Sequence, residues 1–439
     1  MEGKGSSLWR DRNFMVFWGS QTLSVAGDSF ALIAVPLLVL HVTGSVARMG
    51  LLTGLASAAS VAAGVFAGVL ADRLDRRRLL IWCDLARMAL YGIVPVAWAF
   101  GPKIWLLYVI LPAAEAIGMV FQVTYVTVVR TLVEPSRITE ANGRLGATSA
   151  AAGIGGPLLA GVVAGWAGPT AAIAVNAASF GISALGVVMI RFGRRPSASQ
   201  PAPPSPSSPS SPEASAARGV QQAGESPEGQ EARGPWRGML AGARFLWRQP
   251  VLRALTVLLS FFIFLTLGLT DVLIYHLKHD LGQPDGAVGA VLAVAALGTV
   301  AGSLLVGPVR RRLGFGASWI GAIAVAGLAV VGLGTSGGVP AVAVAAAVYL
   351  GCVSVAGIAS MSLRQQVTPD HLLGRVTSAF WTIHFSLGPA GASVLTWGAQ
   401  RHGVAVVCLL AGAACLLIAF AAFFTPIRQP NPELSGATG

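Results

Sequence analysis

The chain has 439 residues, of which 54% are hydrophobic and only 11% charged, with a further 54 glycines and a mean hydropathy of +0.69. Soluble domains carry about 25% charged residues, so a water-soluble enzyme is nearly excluded for want of groups to cover a wet surface. The 30 Lys and Arg against 18 Asp and Glu leave +12, an excess whose meaning depends on where along the chain the charges fall.

They fall in short gaps between long apolar stretches. A bilayer core about 30 Å thick takes roughly 20 helical residues to cross, and an open strand there would leave backbone groups unpaired at several kcal/mol each. In chain order, after a polar tail over 1–13 with no signal-peptide pattern, spans are expected at 14–40, 47–71, 79–100, 104–129, 143–165 and 170–190. Small residues recur within them, as in Ala147 to Gly153, and permit the close backbone approach by which membrane helices associate.

The pattern breaks after the sixth span. Between Pro196 and Pro235, which include 9 of the chain's 25 prolines, there is no Leu, Ile, Met or aromatic residue until Trp236. Nothing there repays the entropy of folding, so the segment is expected to be a disordered linker, either a passive tether or a regulatory one. Trp236, Met239, Leu240, Ala243 and Trp247 then recur at helical spacing, with Arg237, Arg244 and Arg248 on another face, the pattern of a short helix lying on a membrane surface. Six more spans are expected at 253–277, 286–308, 317–334, 340–363, 376–398 and 404–424.

The linker thus divides six spans from six, and a shift of 234 residues exposes a repeat. Gly64, Gly68, Leu70, Arg76 to Arg78, Leu79, Arg130, Val133 and Pro135 align with Gly298, Gly302, Leu304, Arg310 to Arg312, Leu313, Arg364, Val367 and Pro369. With a two-residue drift Gly156-Pro157 also matches Gly388-Pro389. The expected architecture is therefore an all-α membrane protein of twelve transmembrane helices in two homologous six-helix halves, 14–192 and 251–424. They are joined by a cytoplasmic linker over 193–250 that ends in the amphipathic helix, and a tail runs over 425–439. Even-numbered halves share one orientation, and such parallel halves rock about a central site.

With both termini on the inside, the inner gaps hold Arg10, Arg12, Arg73, Arg76 to Arg78, Arg130, Arg137, Arg310 to Arg312, Arg364, Arg375 and Arg428. The outer gaps hold only Arg48, Lys103, Lys278 and Arg401. This positive-inside asymmetry places both termini in the cytoplasm of a plasma-membrane protein and accounts for the +12 without nucleic acid. The four cysteines, Cys83, Cys352, Cys408 and Cys415, all fall inside expected spans, so a disulfide framework is not expected.

At this point the residues carry a resemblance. Gly68 to Arg78, with Asp72, Arg73, Asp75 and Arg76 between spans two and three, is similar to the signature loop of the major facilitator superfamily. Gly27-Asp28, the Asp72-Arg-Leu-Asp-Arg-Arg form of the loop, Asp84, Arg87 and Gly374-Arg375-Val376 resemble the branch of enterobactin exporters and macrolide-efflux proteins. Gly153, Gly156, Pro157 and Gly161 resemble the span-five motif of antiporters, departing from it at Ala160, where a paired glycine is usual. Drug antiporters of this kind often carry an arginine in an Arg-x-x-Gln-Gly pattern in span four; here the stretch is Ala114-Glu115-Ala116-Ile117-Gly118, without it.

The resemblance implies a gating role for Gly68, Asp72, Arg73 and Arg76, in which Asp72 joins the halves on the cytoplasmic side and releases them on inward opening. Plain anchoring by the arginines is the alternative. Asp84 and Arg87 stand one helical turn apart, either a local ion pair or a relay to that loop. In the C-half loop Gly307-Pro308 replaces the acid, so the latch is asymmetric.

Ionisable residues at membrane depth are functional candidates, because even low estimates put a charge at the bilayer centre at about 2.5 to 3.5 kcal/mol. Three acids qualify: Asp28 in span one, Glu115 in span four and Asp271 in the outer half of span seven. Desolvation lets a carboxylate hold a proton near neutral pH and release it when the cavity wets, so these acids can couple a proton gradient to transport. Asp28 and Glu115 come first for that role; the alternatives are a helix-packing hydrogen bond or direct pairing with a cationic substrate. Gln122, Tyr125, His276, Trp381 and His384 are cavity candidates for stacking or hydrogen bonding, or else packing residues.

No Gly-x-x-x-x-Gly-Lys-Ser/Thr loop, metal-ligand spacing or nucleophile-base cluster is present in the sequence. The expectation is not an enzyme but a monomeric secondary exporter of a small amphipathic molecule, such as a drug, macrolide-like metabolite or siderophore. It works in the lipid bilayer by proton antiport, with no cofactor beyond the gradient. A lipid flippase or importer of the same fold, or a non-transporting scaffold or sensor, are the alternatives.

Overall fold

The computed structural model describes residues 11–133, 138–190 and 235–432, and the described part is helical nearly throughout. Asp11 starts α1 (Arg12–Thr43): its carboxylate accepts from the N–H groups of Asn13 and Phe14 at 2.9 and 3.2 Å, two of the donors a helix start leaves orphaned. Gly44, at φ 62, stops α1, and Ser45 caps α2 (Val46–Arg73). Asp75 caps α3 (Arg76–Ala99), and α4 (Ile104–Leu132), α5 (Ile138–Ala167) and α6 (Pro169–Met189) complete the N-terminal half.

The stretch over 191–234, which holds the expected linker, lies outside the described residues. Beyond it, α7 (Pro235–Arg248) lies along the C-terminal half, with the surface of Gly242 against the backbone of Arg375 and Val376. The seventh crossing is α8 (Pro250–Thr266) and α9 (Leu269–Tyr275) with a π turn over His276–Asp280. Then come α10 (Asp285–Thr335), α11 (Val339–Val367), α12 (Asp370–Ser386), α13 (Gly388–His402) and α14 (Val404–Ala422).

Among the described residues nine helices are long and apolar enough to cross a membrane. The 51-residue α10 is two crossings joined at Gly314, whose φ of 76 breaks the helix. With α5 and the pair α12–α13 the total is twelve. The two halves differ at this bend. In the N-terminal half the turn at Leu74 precedes the three arginines; in the C-terminal half the helix runs through Pro308 and Arg310 to Arg312 before breaking. No acid stands there to cap a new helix as Asp75 does, and Gly314 supplies the backbone freedom instead.

The helix ends near Arg12, Arg76 and Arg428 form a basic end, and the ends near Gly44, Gly168 and Gly403 the far end. The apolar core shows how the halves meet. One large cluster, holding Ile33, Leu37, Ile173, Leu273, Val291 and Leu395, draws on both halves at the far end. At the basic end there are two clusters, one built from the C-terminal half around Trp319 and Phe315, the other from the N-terminal half around Phe14 and Phe17. The halves are joined at the far end and have separate cores at the basic end.

Close approach within and between halves uses small residues. Cβ atoms at Gly298 and Gly302 of α10 would strike the carbonyls of Ala347 and Gly351 on α11, the small-residue crossing expected of membrane helices. Gly298→Leu is therefore expected to lower stability in detergent by about 1–3 kcal/mol, measured as a loss in unfolding midpoint; an unchanged midpoint would show that the crossing relaxes.

Candidate functional site

Four helices of the N-terminal half bring polar side chains together well inside the bundle. Arg87, eleven residues into α3, donates from Nη2 to Asp28 Oδ1 of α1 at 2.8 Å. Its guanidinium lies over the Phe180 ring of α6, 3.9 Å from the centroid, and Phe180 stacks in turn on Tyr91 at 5.8 Å. Gly118 of α4 leaves room for it: the guanidinium carbon is 3.6 Å from where a Cβ would stand. Glu115, one turn before Gly118, lies in the electrostatic field of both Arg87 and Asp28.

Asp84 is fully buried beside them. Ser183 of α6 donates to its Oδ2 at 2.6 Å and receives from Gln21 Nε2 of α1 at 2.8 Å, while Asp84 Oδ1 has no partner. The direct partner of Arg87 is thus Asp28, 59 residues away, and Asp84 turns to Ser183, so the one-turn spacing of Asp84 and Arg87 does not produce the local ion pair. Three carboxylates, Asp28, Asp84 and Glu115, surround one guanidinium. If all were ionised the cluster would carry two uncompensated negative charges, and buried charges persist only when paired.

The Asp28 side chain is 44% exposed although it stands mid-helix. That partial exposure sets Asp28 apart from the buried acids Asp84 and Asp271. Gln122 and Trp381 are also exposed. Tyr125 packs between Phe17 and Phe121, with centroids at 5.4 and 6.1 Å, and His384 is buried against Phe380 at 5.3 Å. His276 lies at the far end, its Nδ1 2.8 Å from Asp280 and its Nε2 3.2 Å from the carbonyl of Ser336.

Asp271 is separate from the acid cluster. It is 3% exposed at the seam between the halves, beside Thr53 of α2, and its Oδ2 has no partner among the described residues. The same seam carries Ser45 donating to Gln400 at 2.6 Å, His41 3.3 Å and Lys278 2.7 Å from Asp285, and glycines set face to face. A Cβ on Gly289 of α10 would stand 2.5 Å from the carbonyl oxygen of Pro157 and 2.8 Å from the Cα of Gly161, both on α5. Gly156 packs on Ser29, next to Asp28, and Gly153 has open space around it. The Gly153–Gly161 stretch therefore touches α1 beside the acid cluster and α10 across the seam.

The side chains of Gly68, Asp72 and Arg73 in the gating loop lie outside the described residues. Arg76 is exposed, and the loop's other acid, Asp75, accepts from the N–H of Arg78 at 2.8 Å. No group of three or more His, Cys, Asp or Glu among the described residues is arranged to hold a metal ion. Gln21 and Ser183 are not ionisable; a polar side chain of any kind within an apolar run is the signal that marks them. Arg364, grouped by sequence with the loop arginines, is buried instead.

A family model described as Major Facilitator Superfamily matches residues 17–393. The multidrug efflux pump Tap of Mycolicibacterium fortuitum is 24% identical over 415 residues, covering 91% of this chain and 92% of that protein. Among solved structures, a bacterial homologue of the human lysosomal transporter Spinster, inward-facing and unoccupied, superposes with a TM-score of 0.71 at 15% identity, covering 98% of this chain and 99% of that one. A bacterial homologue of the iron transporter ferroportin, in an inward-facing state, gives 0.65 at 15% identity over 94% and 98% of the two chains.

Proposed function

The chain belongs to the Major Facilitator Superfamily, a multi-pass membrane transporter rather than an enzyme, and from that premise we propose that it is a proton-coupled exporter of small amphipathic molecules. The basic end faces the cytoplasm of the plasma membrane, with both termini there, as the arginine distribution favours. The shared far-end core and the separate basic-end cores correspond to a cleft open to the cytoplasm. Cargo enters there, and the halves rock to open the far end.

The observation that carries the proposal is the excess of carboxylates around Arg87. The charge missing from the site can be supplied by protons or by a cationic group of the cargo, and competition between the two is what exchange requires. With Asp28 partly exposed, a proton taken up while the far end is open is released to the cytoplasm when cargo arrives. Asp271 would act separately. Buried across the seam in this state and freed when the far end opens, it meets the outer medium in only one half of the cycle. The relation to Tap supports the outward direction.

Proteoliposomes oriented with the basic end outward and loaded with acidic buffer test this directly. With one proton exchanged per cationic dye molecule such as ethidium, a gradient of one pH unit supports about tenfold accumulation, since each pH unit is about 1.4 kcal/mol. Equal uptake with and without the gradient would sink the coupling, and accumulation under the opposite gradient would make the protein a symporter.

A further inference from the structure

Arg364 stands three residues before the end of α11, where an arginine would ordinarily reach water. It is 2% exposed. Among the described residues its Nε and Nη1 have no hydrogen-bond partner, and Nη2 has only the thioether sulfur of Met361 at 3.1 Å, a weak acceptor. The guanidinium carbon sits 3.5 Å above the centre of the Phe380 ring and 5.7 Å from that of Trp381.

The contrast with Arg87 is direct. Both lie over a phenylalanine, but among the described residues Arg87 has a carboxylate and Arg364 has none. An isolated guanidinium out of water is disfavoured by more than a cation–π contact returns. Two more polar atoms nearby in the chain share the condition: Thr368 Oγ1, just past the end of α11, and His384 Nδ1, one turn beyond Phe380 in α12, are buried without partners among the described residues. Trp381 is the exposed member of this group. It is 43% exposed and stacks on Phe385 at 5.4 Å, so a planar wall leads inward to unused cationic donors.

We propose that Arg364 and Trp381 form a subsite for an amphipathic aryl carboxylate, the guanidinium taking the acid group and the Trp381–Phe385 wall the ring. A guanidinium fork fits a carboxylate in geometry as well as charge, and aromatic faces hold a flat apolar body. The inference rests on the transporter reading and narrows its cargo. The N-terminal half offers carboxylates and the C-terminal half a bare cation, so the cleft matches molecules that carry both signs.

The test is equilibrium dialysis of the full chain in nanodiscs, without any gradient, comparing 1-naphthoate with the equally flat but neutral 1-naphthylmethanol. The acid is expected to bind about tenfold more tightly or better, the fold-change of one charge-assisted hydrogen bond. R364Q should bring the ratio to one, R364K should keep part of it, and W381A should weaken both ligands alike. Equal affinity in the unmodified protein overturns the subsite, as does a preference that survives R364Q. Competition by inorganic phosphate as strong as that by benzoate also overturns it, in favour of a site for any oxyanion. If R364Q does not fold, thermal unfolding of the unmodified protein decides: naphthoate raising the midpoint and the alcohol leaving it unmoved supports the subsite, and equal effects overturn it. Because no gradient is involved, a failure of proton coupling leaves this result standing, and the two readings fail separately.

Discussion

Asp28→Asn leaves dye moving down its own gradient and abolishes its accumulation against one. Asparagine has the shape of aspartate and can still accept from Arg87, but it can neither carry a charge nor exchange a proton. With one pH unit imposed, the roughly tenfold accumulation expected of the unmodified protein should fall to about one, while efflux from preloaded vesicles continues. Glu115→Gln should do the same if Glu115 shares the proton, and a smaller loss would assign the exchange to Asp28. Full accumulation by Asp28→Asn would move the coupling elsewhere, with Asp271 the next residue to replace. Flux measured with a pH-sensitive dye in the lumen separates the cases, because an uncoupled variant moves cargo without moving protons.

Gly289→Leu should hold the far end open. In the state described here a side chain at that position meets the Pro157 carbonyl and Gly161, and overpacking of this kind costs about 1–3 kcal/mol. When α5 and α10 part, the clash disappears. The cost therefore falls on one state alone and shifts the equilibrium between states by about 5- to 150-fold. The measurement is the labelling rate of a cysteine placed at Ser393, which faces Gly54 across the seam, by a membrane-impermeant maleimide from the far side. Faster labelling with little net transport is the expected pair of results; unchanged labelling would mean that the seam has slack.

Much of this was legible in the sequence because the physics that fixes it is local. Twelve crossings follow from apolar run length and segregated charge, and two halves follow from the aligned arginines and glycines. Asp28 and Glu115 stand out because a carboxylate in the middle of an apolar run is costly unless something pairs with it or protonates it. What could not be seen was partnership. Arg87 is three residues from Asp84, and helical spacing suggests that pair, yet its side chain crosses to another helix. Spacing within one helix says nothing about which neighbour is nearer in space. Arg364 has the sequence surroundings of a loop arginine, and only tertiary packing takes it out of water. The bend in α10 falls within the expected gap between 308 and 317, but its place at Gly314, with Pro308 tolerated inside the helix, is set by backbone geometry. Gly161 was visible within its motif, but its counterpart Gly289 belongs to the other half, beyond any local pattern.

The seam at the far end works as a bearing rather than a lock. Where α5 meets α10, Gly161 and Gly289 stand face to face, and elsewhere polar contacts such as Ser45 to Gln400 and His41 to Asp285 span it. Surfaces of that kind slide and part without first unthreading interlocked residues, so the barrier to rocking can stay low while each half keeps its own rigid core. The wear surface of this machine is its smallest residues, and added bulk there should jam it sooner than the loss of a large buried side chain would.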